Sequence, residues 1–409
     1  MFKFQNVFLL LSLMSVYSCQ EDNSISKDNT EYSFLIEEET LRFASSSPFT
    51  HELSDVIYKK NELGEEYLLI LNDSDLERNK SLTIYELTTE KAIEKIDILE
   101  EGPNSISNIN ETTLAPIVTD LKSIFFWNGN TREFHLIGKD RRIEKKNSWP
   151  ENNYNAAPNI SRNTPAIRTS YNDFFFPLMV IPPEERPDYT DFPAIAKMEL
   201  TDNQFKVDTF LVNFPKIYNN GFYGVEPYLY VPSIQLTQEE DLFVSFPIDH
   251  TVYQFDTNGK LKNSLFVKSN YIEKEIKPYK DSNFFSRLIK GEIDSPSLND
   301  RAEYIWTTSK YESLIKLPSK NEIYGRIVNV APSIEEVRES WGSGKIINKF
   351  TIIFFNDEEI IGEQLFKKED YSFYSYFITN EKIFFFNNKK SMEDDDYFYF
   401  TGFSFRQRN

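Results

Sequence analysis

One cysteine in 409 residues rules out any intramolecular disulfide, and that residue, Cys19, closes the first apolar run. Histidine is nearly as scarce. His51, His135 and His250 show no metal-ligand spacing between any two of them, so each reads as an ordinary strand or loop position. The G-x-S-x-G pattern of a serine nucleophile elbow is absent. The glycine-bounded "WGSGK" at 341–345 lacks a preceding strand and the phosphate-loop spacing, and reads as a flexible loop. No motif for a cofactor stands out. Past Cys19 no apolar segment is long enough to cross a bilayer as a helix. Long amphipathic helices are also missing; 281–291 and 332–342 are the only short candidates. Basic residues (45) are far outnumbered by acidic ones (64), and the formal charge of −19 repels phosphate backbones, so nucleic acid is not an expected partner. With only 13 glycines, asparagine is expected to serve in many turns.

Aromatics are abundant: 36 Phe and 23 Tyr, residues that favour strands. Short β-branched and aromatic runs alternate with Asn, Asp, Gly, Lys or Pro breaks almost throughout, the spacing of a many-stranded all-β protein. The runs fall into fours. The first group is "DVIYKK", "YLLILND", "LTIYEL" and "AIEKIDIL"; the third opens on "PAIRTS" and the fourth on "YLYVPSIQL". The last holds only "FYSYFITN", "KIFFFNN" and "YFYFTGFSF", and the N-terminal "SFLIEEETLRF" supplies the missing strand. Six such sheets define an all-β, six-bladed β-propeller of the TolB-like kind, closed by the N-terminal strand in the last blade. The competing arrangement is a pair of β-sandwich domains with a boundary near 270–300. Among the turns, Asn258-Gly259 is the dipeptide that accepts positive φ at both corners, and Asn356-Asp357 is a second candidate.

The N-terminus carries a different message. Lys3, the apolar stretch Val7 to Val16 and small Ser18 lead to Cys19, the pattern of a signal peptide with a lipid-modification box. A diacylglycerol attached to that sulfur, with cleavage before it, makes Cys19 the new N-terminus and the membrane anchor. The flank "QEDNSISKDNTE" is too polar to order itself and reads as a tether. The organisation is therefore a signal peptide over 1–18, an acidic tether over 19–30 and one propeller over 31–409. The expected location is the cell envelope, lipid-anchored to the outer membrane, on its periplasmic side or at the surface.

Several stretches in order resemble a family of six-bladed propeller lipoproteins of the Bacteroidota catalogued as a domain of unknown function. They are "LTIYELTTEKAIEKIDILEEGPNSISNI" with Gly102-Pro103-Asn104, "PAIAKMEL" leading to "NFPKIY", "LFVSFPIDHTVYQFDTNGK", "EIYGRIVNVAPS", "FTIIFFNDEEIIGEQLF" and "YFITNEKIFFFNN". Tyr324-Gly325 departs from the two aromatics expected before the arginine. The tether likewise resembles the acidic export tags of surface lipoproteins in that phylum. The resemblance implies fold and location and transfers no catalytic residue.

Candidate chemistry is sparse. Asp73, Asp75 and Glu77 begin like a calcium loop, but Arg78 stands where glycine is needed and Ile84 where a bidentate glutamate is needed, so the stretch reads as a polar hairpin. Glu393, Asp394, Asp395 and Asp396 read as a solvated turn between two strands. The aromatic stretches "PEERPDYTDFP" at 183–193 and "YNNGFYGVEPYLY" at 218–230 are loops of the kind that build a binding face, or that cap the interior between blades. No catalytic, cofactor or metal residue is assigned. The expected function is a binding or interaction module for a glycan, a peptide or an envelope protein. The alternative is a propeller enzyme acting on polysaccharide or peptide, which would gather acidic and basic side chains at one end of the central channel. Replacing the anchor, Cys19→Ser, is expected to release the protein from membranes or stall its processing; equal membrane fractionation of mutant and parent would contradict the lipid attachment.

Overall fold

The structure is a computed structural model. It describes residues 34–406 apart from 46–54, 74–79, 103–104, 108–113, 181–187, 224–228, 273–274, 344–348, 368–369 and the single positions 153, 162, 172, 295, 320 and 395. Cys19, the signal segment, the tether and His51 lie outside the described residues.

Strand β1 (Leu35–Ala44) precedes five complete groups and one incomplete group. Blade 1 is β2 (Asp55–Lys60), β3 (Glu66–Asp73), β4 (Lys80–Glu86) and β5 (Lys91–Ile98). Blade 2 is β6 (Leu114–Asp120), β7 (Ser123–Asn128), β8 (Glu133–Ile137) and β9 (Ile143–Ser148). Blade 3 contains β10 (Ala156–Pro158), β11 (Ile167–Arg168), β12 (Asp173–Val180), β13 (Pro193–Thr201) and β14 (Gln204–Asn213). Blade 4 is β15 (Ser233–Leu236), β16 (Leu242–Ser245), β17 (Thr251–Phe255) and β18 (Leu261–Phe266). Blade 5 is β19 (Lys310–Lys316), β20 (Tyr324–Val330), β21 (Lys349–Phe355) and β22 (Ile360–Lys367). Blade 6 is β23 (Tyr371–Ile378), β24 (Ile383–Asn387) and β25 (Tyr397–Phe405), and its fourth strand is β1, paired antiparallel to β25 from Leu35↔Phe405 to Ala44↔Tyr397.

The six sheets form a ring, a six-bladed β-propeller. Two separate sandwiches, the competing arrangement, are not what the strands build. First strands of neighbouring blades approach one another around the axis, β2 beside β23 and β6, and β15 beside β11 and β19. Their sequences explain why the middle strands are apolar on both faces. In β3, Leu68 and Ile70 pack with Phe43, Phe384 and Phe400 on one side, while Leu69 and Leu71 pack with Leu114, Ile124 and Phe126 on the other. In β24, Phe384 and Phe386 face blade 1, while Ile383 and Phe385 face Ile327, Phe350 and Ile352 of blade 5. The outermost β5, β9 and β18 are largely exposed and carry lysines, which protects their edges from pairing with another chain.

Each blade is an antiparallel meander, so its connections sort by end. The hairpins between first and second strands, and between third and fourth, share one end of the ring; the longest is 317–323. The opposite end collects the connections between second and third strands and those between blades, including 181–192, 214–232, 267–309 and 331–348. These are termed the hairpin end and the loop end. β1 starts at the hairpin end, beside Phe405.

Local details depart from the sequence reading. The first-strand position of blade 3 is split: β10 pairs with the far end of β12, only Ile167–Arg168 of "PAIRTS" is strand, and residues 159–166 bulge between them. At 256–260 only Gly259 has positive φ, +81°, and Asp256 Oδ1 accepts the N–H groups of Asn258 and Lys260. A register shift at Gln254/Phe255 absorbs the extra residue, so this turn is a bulged hairpin. The turn with both corners at positive φ is Asp202-Asn203, at 52° and 57°. Asn356 acts through its side chain, accepting from Glu358 N and Glu359 N. Helices lie at both expected places, α1 (Phe284–Ile289) and α3 (Ile334–Ser343), so Trp341 to Ser343 end a helix instead of starting a loop. Two more, α2 (Leu298–Thr307) and α4 (Asn388–Glu393), have no counterpart in the sequence reading.

Candidate functional site

The loop end between blades 3 and 5 is built on buried aromatics. Tyr189 is held in a short turn capped by Asp188, whose Oδ1 accepts from Thr190 N at 3.0 Å and Asn219 Nδ2 at 2.6 Å. Its ring lies against Phe214, Tyr218 and Tyr230. Tyr218 is fully buried and donates its hydroxyl to Leu229 O at 2.8 Å. Tyr223 N donates to Tyr230 Oη at 3.1 Å. Burial holds the hydroxyls of Tyr218 and Tyr230 far above the ordinary tyrosine range and pushes Tyr223 up to about 12, so all three stay neutral. The described aromatics of 183–193 and 218–230 thus cap the interior, the second of the two roles open to them.

A second brace was missed by sequence reasoning. Arg326 lies in β20 with no exposed surface. Its Nε donates to Ser245 Oγ at 2.8 Å, Nη1 to the carbonyls of His250 (3.0 Å) and Val267 (2.8 Å), and Nη2 to those of Phe246 (3.2 Å) and Asp249 (2.5 Å). All five guanidinium N–H groups are used. The Tyr311 ring stacks on it, centroid to Cζ 3.3 Å. Burial lowers the arginine pKa to about 10, still well above neutrality, so the group remains charged. One side chain therefore binds the connection 246–250 and the start of 267–309 to blade 5. Its trace in the sequence is a charge inside the apolar run "IYGRIVNV", the kind of residue seldom buried unless it is paired.

The same region explains His250, whose Nδ1 lies 2.6 Å from Tyr311 Oη. Ser269 Oγ and Asn270 N then donate to Glu363 of β22, at 2.6 and 2.9 Å, and burial raises that carboxyl's pKa. His135 sits buried in β8, where desolvation lowers its pKa despite Glu133 at 3.6 Å. The two described histidines are blades apart. Asp73 ends β3, and Asp75 and Glu77 lie outside the described residues. Glu393 ends α4, Asp394 accepts the Tyr399 hydroxyl at 2.7 Å, Asp396 O accepts from Ser45 N, and Asp395 is outside. Among the described residues no three His, Cys, Asp or Glu side chains converge as metal ligands.

Inside the channel, Lys310 Nζ lies 3.1 Å from Glu312 Oε1, their side chains 9% and 8% exposed. Asn163 Nδ2, from the 159–166 bulge of blade 3, donates to Glu312 Oε2 at 3.3 Å. The bulge thus meets the inner strand of blade 5 with blade 4 between them. An acid and a base are brought together here, but enclosed.

Ring, meander sheets and terminal closure define a six-bladed β-propeller. The chain belongs to the family described as Domain of unknown function (DUF4221), which it matches over residues 31–365. A crystal structure of a member of that family from Bacteroides vulgatus is similar at 18% identity, covering 91% of this chain and 98% of that one with a TM-score of 0.68. A protein of unknown function from Bacteroides caccae shares 13% identity over 78% of this chain and 82% of its own, with a TM-score of 0.39. A catalytically inactive virginiamycin B lyase from Staphylococcus aureus with quinupristin shares 8% over 89% and 99%, also at 0.39. No curated protein matches the sequence.

Because Arg326 satisfies four buried carbonyls at once, its loss strands them. Arg326→Met is expected to lower stability by about 3 kcal/mol or more in urea unfolding, and Arg326→Lys to recover little of it, since an ammonium cannot reproduce the fork. A change below about 1 kcal/mol would contradict the brace.

Proposed function

We propose that the protein is a lipid-anchored binding module of the bacterial cell envelope, attached to the outer membrane through Cys19, which presents its loop end to a glycan, a peptide or a partner protein. The observation that carries this reading is the division of the ring. Strand β1 starts at the hairpin end, whereas the long connections gather at the opposite end. Described parts of these connections rest on buried tyrosines and on Arg326, so those parts are held without fresh ordering entropy on binding. Trp306 and Tyr271, both in 267–309, remain 40% and 36% exposed and have faces suited to stacking on sugars or gripping peptides.

The alternative, a propeller enzyme acting on polysaccharide or peptide, draws its support from Lys310 and Glu312 in the channel. Their enclosure weighs against substrate reaching them. A glycan and peptide screen of the purified protein, with hydrolysis of each hit followed, separates the readings. Binding without turnover, weakened roughly tenfold by Trp306→Ala, is the expected result. Turnover would replace the binding reading by the enzymatic one, and absence of both would favour a scaffold in an envelope complex.

A further inference from the structure

One connection at the loop end reverses the charge of the chain. Residues 267–291 hold six basic residues against three acidic ones, in a molecule of net charge −19. A uniform negative charge serves solubility, and a local reversal within it draws anions to one place.

Packing gathers three cations of the 267–309 connection. The Tyr304 hydroxyl donates to Lys277 O at 3.0 Å, the Tyr279 and Tyr304 ring centroids are 5.0 Å apart, and Lys280 Nζ lies 4.6 Å over the Tyr279 ring. The Lys280 backbone is fixed by paired hydrogen bonds with Phe222, at 2.9 and 3.1 Å. Arg301 stands one turn before Tyr304 on α2, on the same side of that helix. Lys277 and Lys280 are exposed and Arg301 is half-buried, and none of the three side chains forms an ion pair with a described carboxylate. Nearby acids are engaged elsewhere: Asp281 Oδ1 accepts from Asn283 N, Glu292 pairs with Arg287 at 3.9 Å and Glu303 with Arg338 at 3.5 Å. Glu275 and Asp300 are exposed and pair with none of the three cations.

We propose that the loop end recognises an acidic polysaccharide, one whose repeating sugar carries a carboxylate, through Lys277, Lys280 and Arg301. Successive carboxylates meet the two ammonium groups and the guanidinium. Trp306 on the same helix and Tyr271 in the same connection expose faces that suit the flat sides of sugar rings. An acidic peptide fits less well. Extended peptides add to a free sheet edge and helical ones need an apolar groove, whereas this region is built of helices, turns and packed aromatics. The inference names the ligand class for the binding face assigned above and rests on that assignment.

The test measures binding of the full chain to polygalacturonate, to uncharged dextran and to polyglutamate, at low and at raised salt. It is repeated for the double variant Lys277→Gln/Lys280→Gln, for Arg301→Gln and for the control Lys95→Gln. Lys95, an exposed residue of β5, pairs with Asp97 at 3.6 Å. Saturable, salt-sensitive binding of polygalacturonate is expected, with dextran and polyglutamate weaker by about tenfold or more. The double variant and Arg301→Gln should each weaken it roughly tenfold, with Lys95→Gln unchanged. The double variant replaces exposed side chains only, so it decides the matter if Arg301→Gln fails to fold. Preference for dextran or polyglutamate keeps the loop end as a binding face and overturns the acidic-sugar class. Undiminished binding by the double variant, or no binding of polygalacturonate, also overturns the inference; the binding function itself falls only if the broader glycan and peptide screen is empty as well.

Discussion

The fold depends on one backbone pairing, that of β1 with β25. A propeller blade is stable only when both faces are covered, and the covering blades are covered in turn, so a ring that fails to close leaves two apolar faces in water. β1 prevents this by joining both ends of the chain in blade 6. It is also fixed to both neighbours. Gln364 of blade 5 accepts the N–H groups of Phe34 and Leu35 at 2.9 and 2.8 Å, and the Phe34 ring lies over Gly362, where any Cβ would sit 2.2 Å from its Cζ. At the other end, Tyr85 of blade 1 donates its hydroxyl to Ala44 O at 2.7 Å, Glu90 accepts from Arg42 N, and Phe43 packs between Tyr85 and Phe400. Burying Phe43 alone is worth about 1.5–3 kcal/mol, and its contacts span two blades, so the strand couples the stability of the whole ring.

Closure also fixes which end of the ring β1 starts from. Because β1 runs antiparallel to β25, Leu35 lies at the hairpin end, and the long connections lie at the other. Long connections would ordinarily be the least stable parts of such a domain. Here the described parts of 181–192, 214–232 and 267–309, and the 246–250 connection, are tied down by neutral buried tyrosines and by a guanidinium that replaces water for four carbonyls. Inside the ring, Asn163 of the 159–166 bulge reaches Glu312 of blade 5 across blade 4.

Most of the ring was legible in the sequence because its middle strands are apolar on both faces: "YLLIL" in β3 and "IFFF" in β24 admit no other reading once turn residues bound them. The unread parts have physical reasons. β10 and β11 hold three and two residues, too few to show a period, and their pairing is decided by β12. Helix α2 begins at Ser297, whose side chain accepts from Asp300 N, a capping signal present in "SLND" but outweighed by the polar surroundings. Asn258-Gly259 was read as a two-corner turn, yet Asp256 offered its side chain first. Composition could not say whether the loop tyrosines stack on a ligand or on one another. Arg326 was visible as a charge in an apolar strand, but its five acceptors come from residues 245 to 267, distant in the sequence.

The central claim, that β1 closes the ring and shares its stability, is tested most directly by native-state hydrogen exchange of the Leu35–Ala44 amides. The account predicts that those paired with β25 exchange only through global unfolding, with the same protection as the amides of β24 and β25. Rapid exchange of β1 while the other strands of blade 6 stay protected would contradict it.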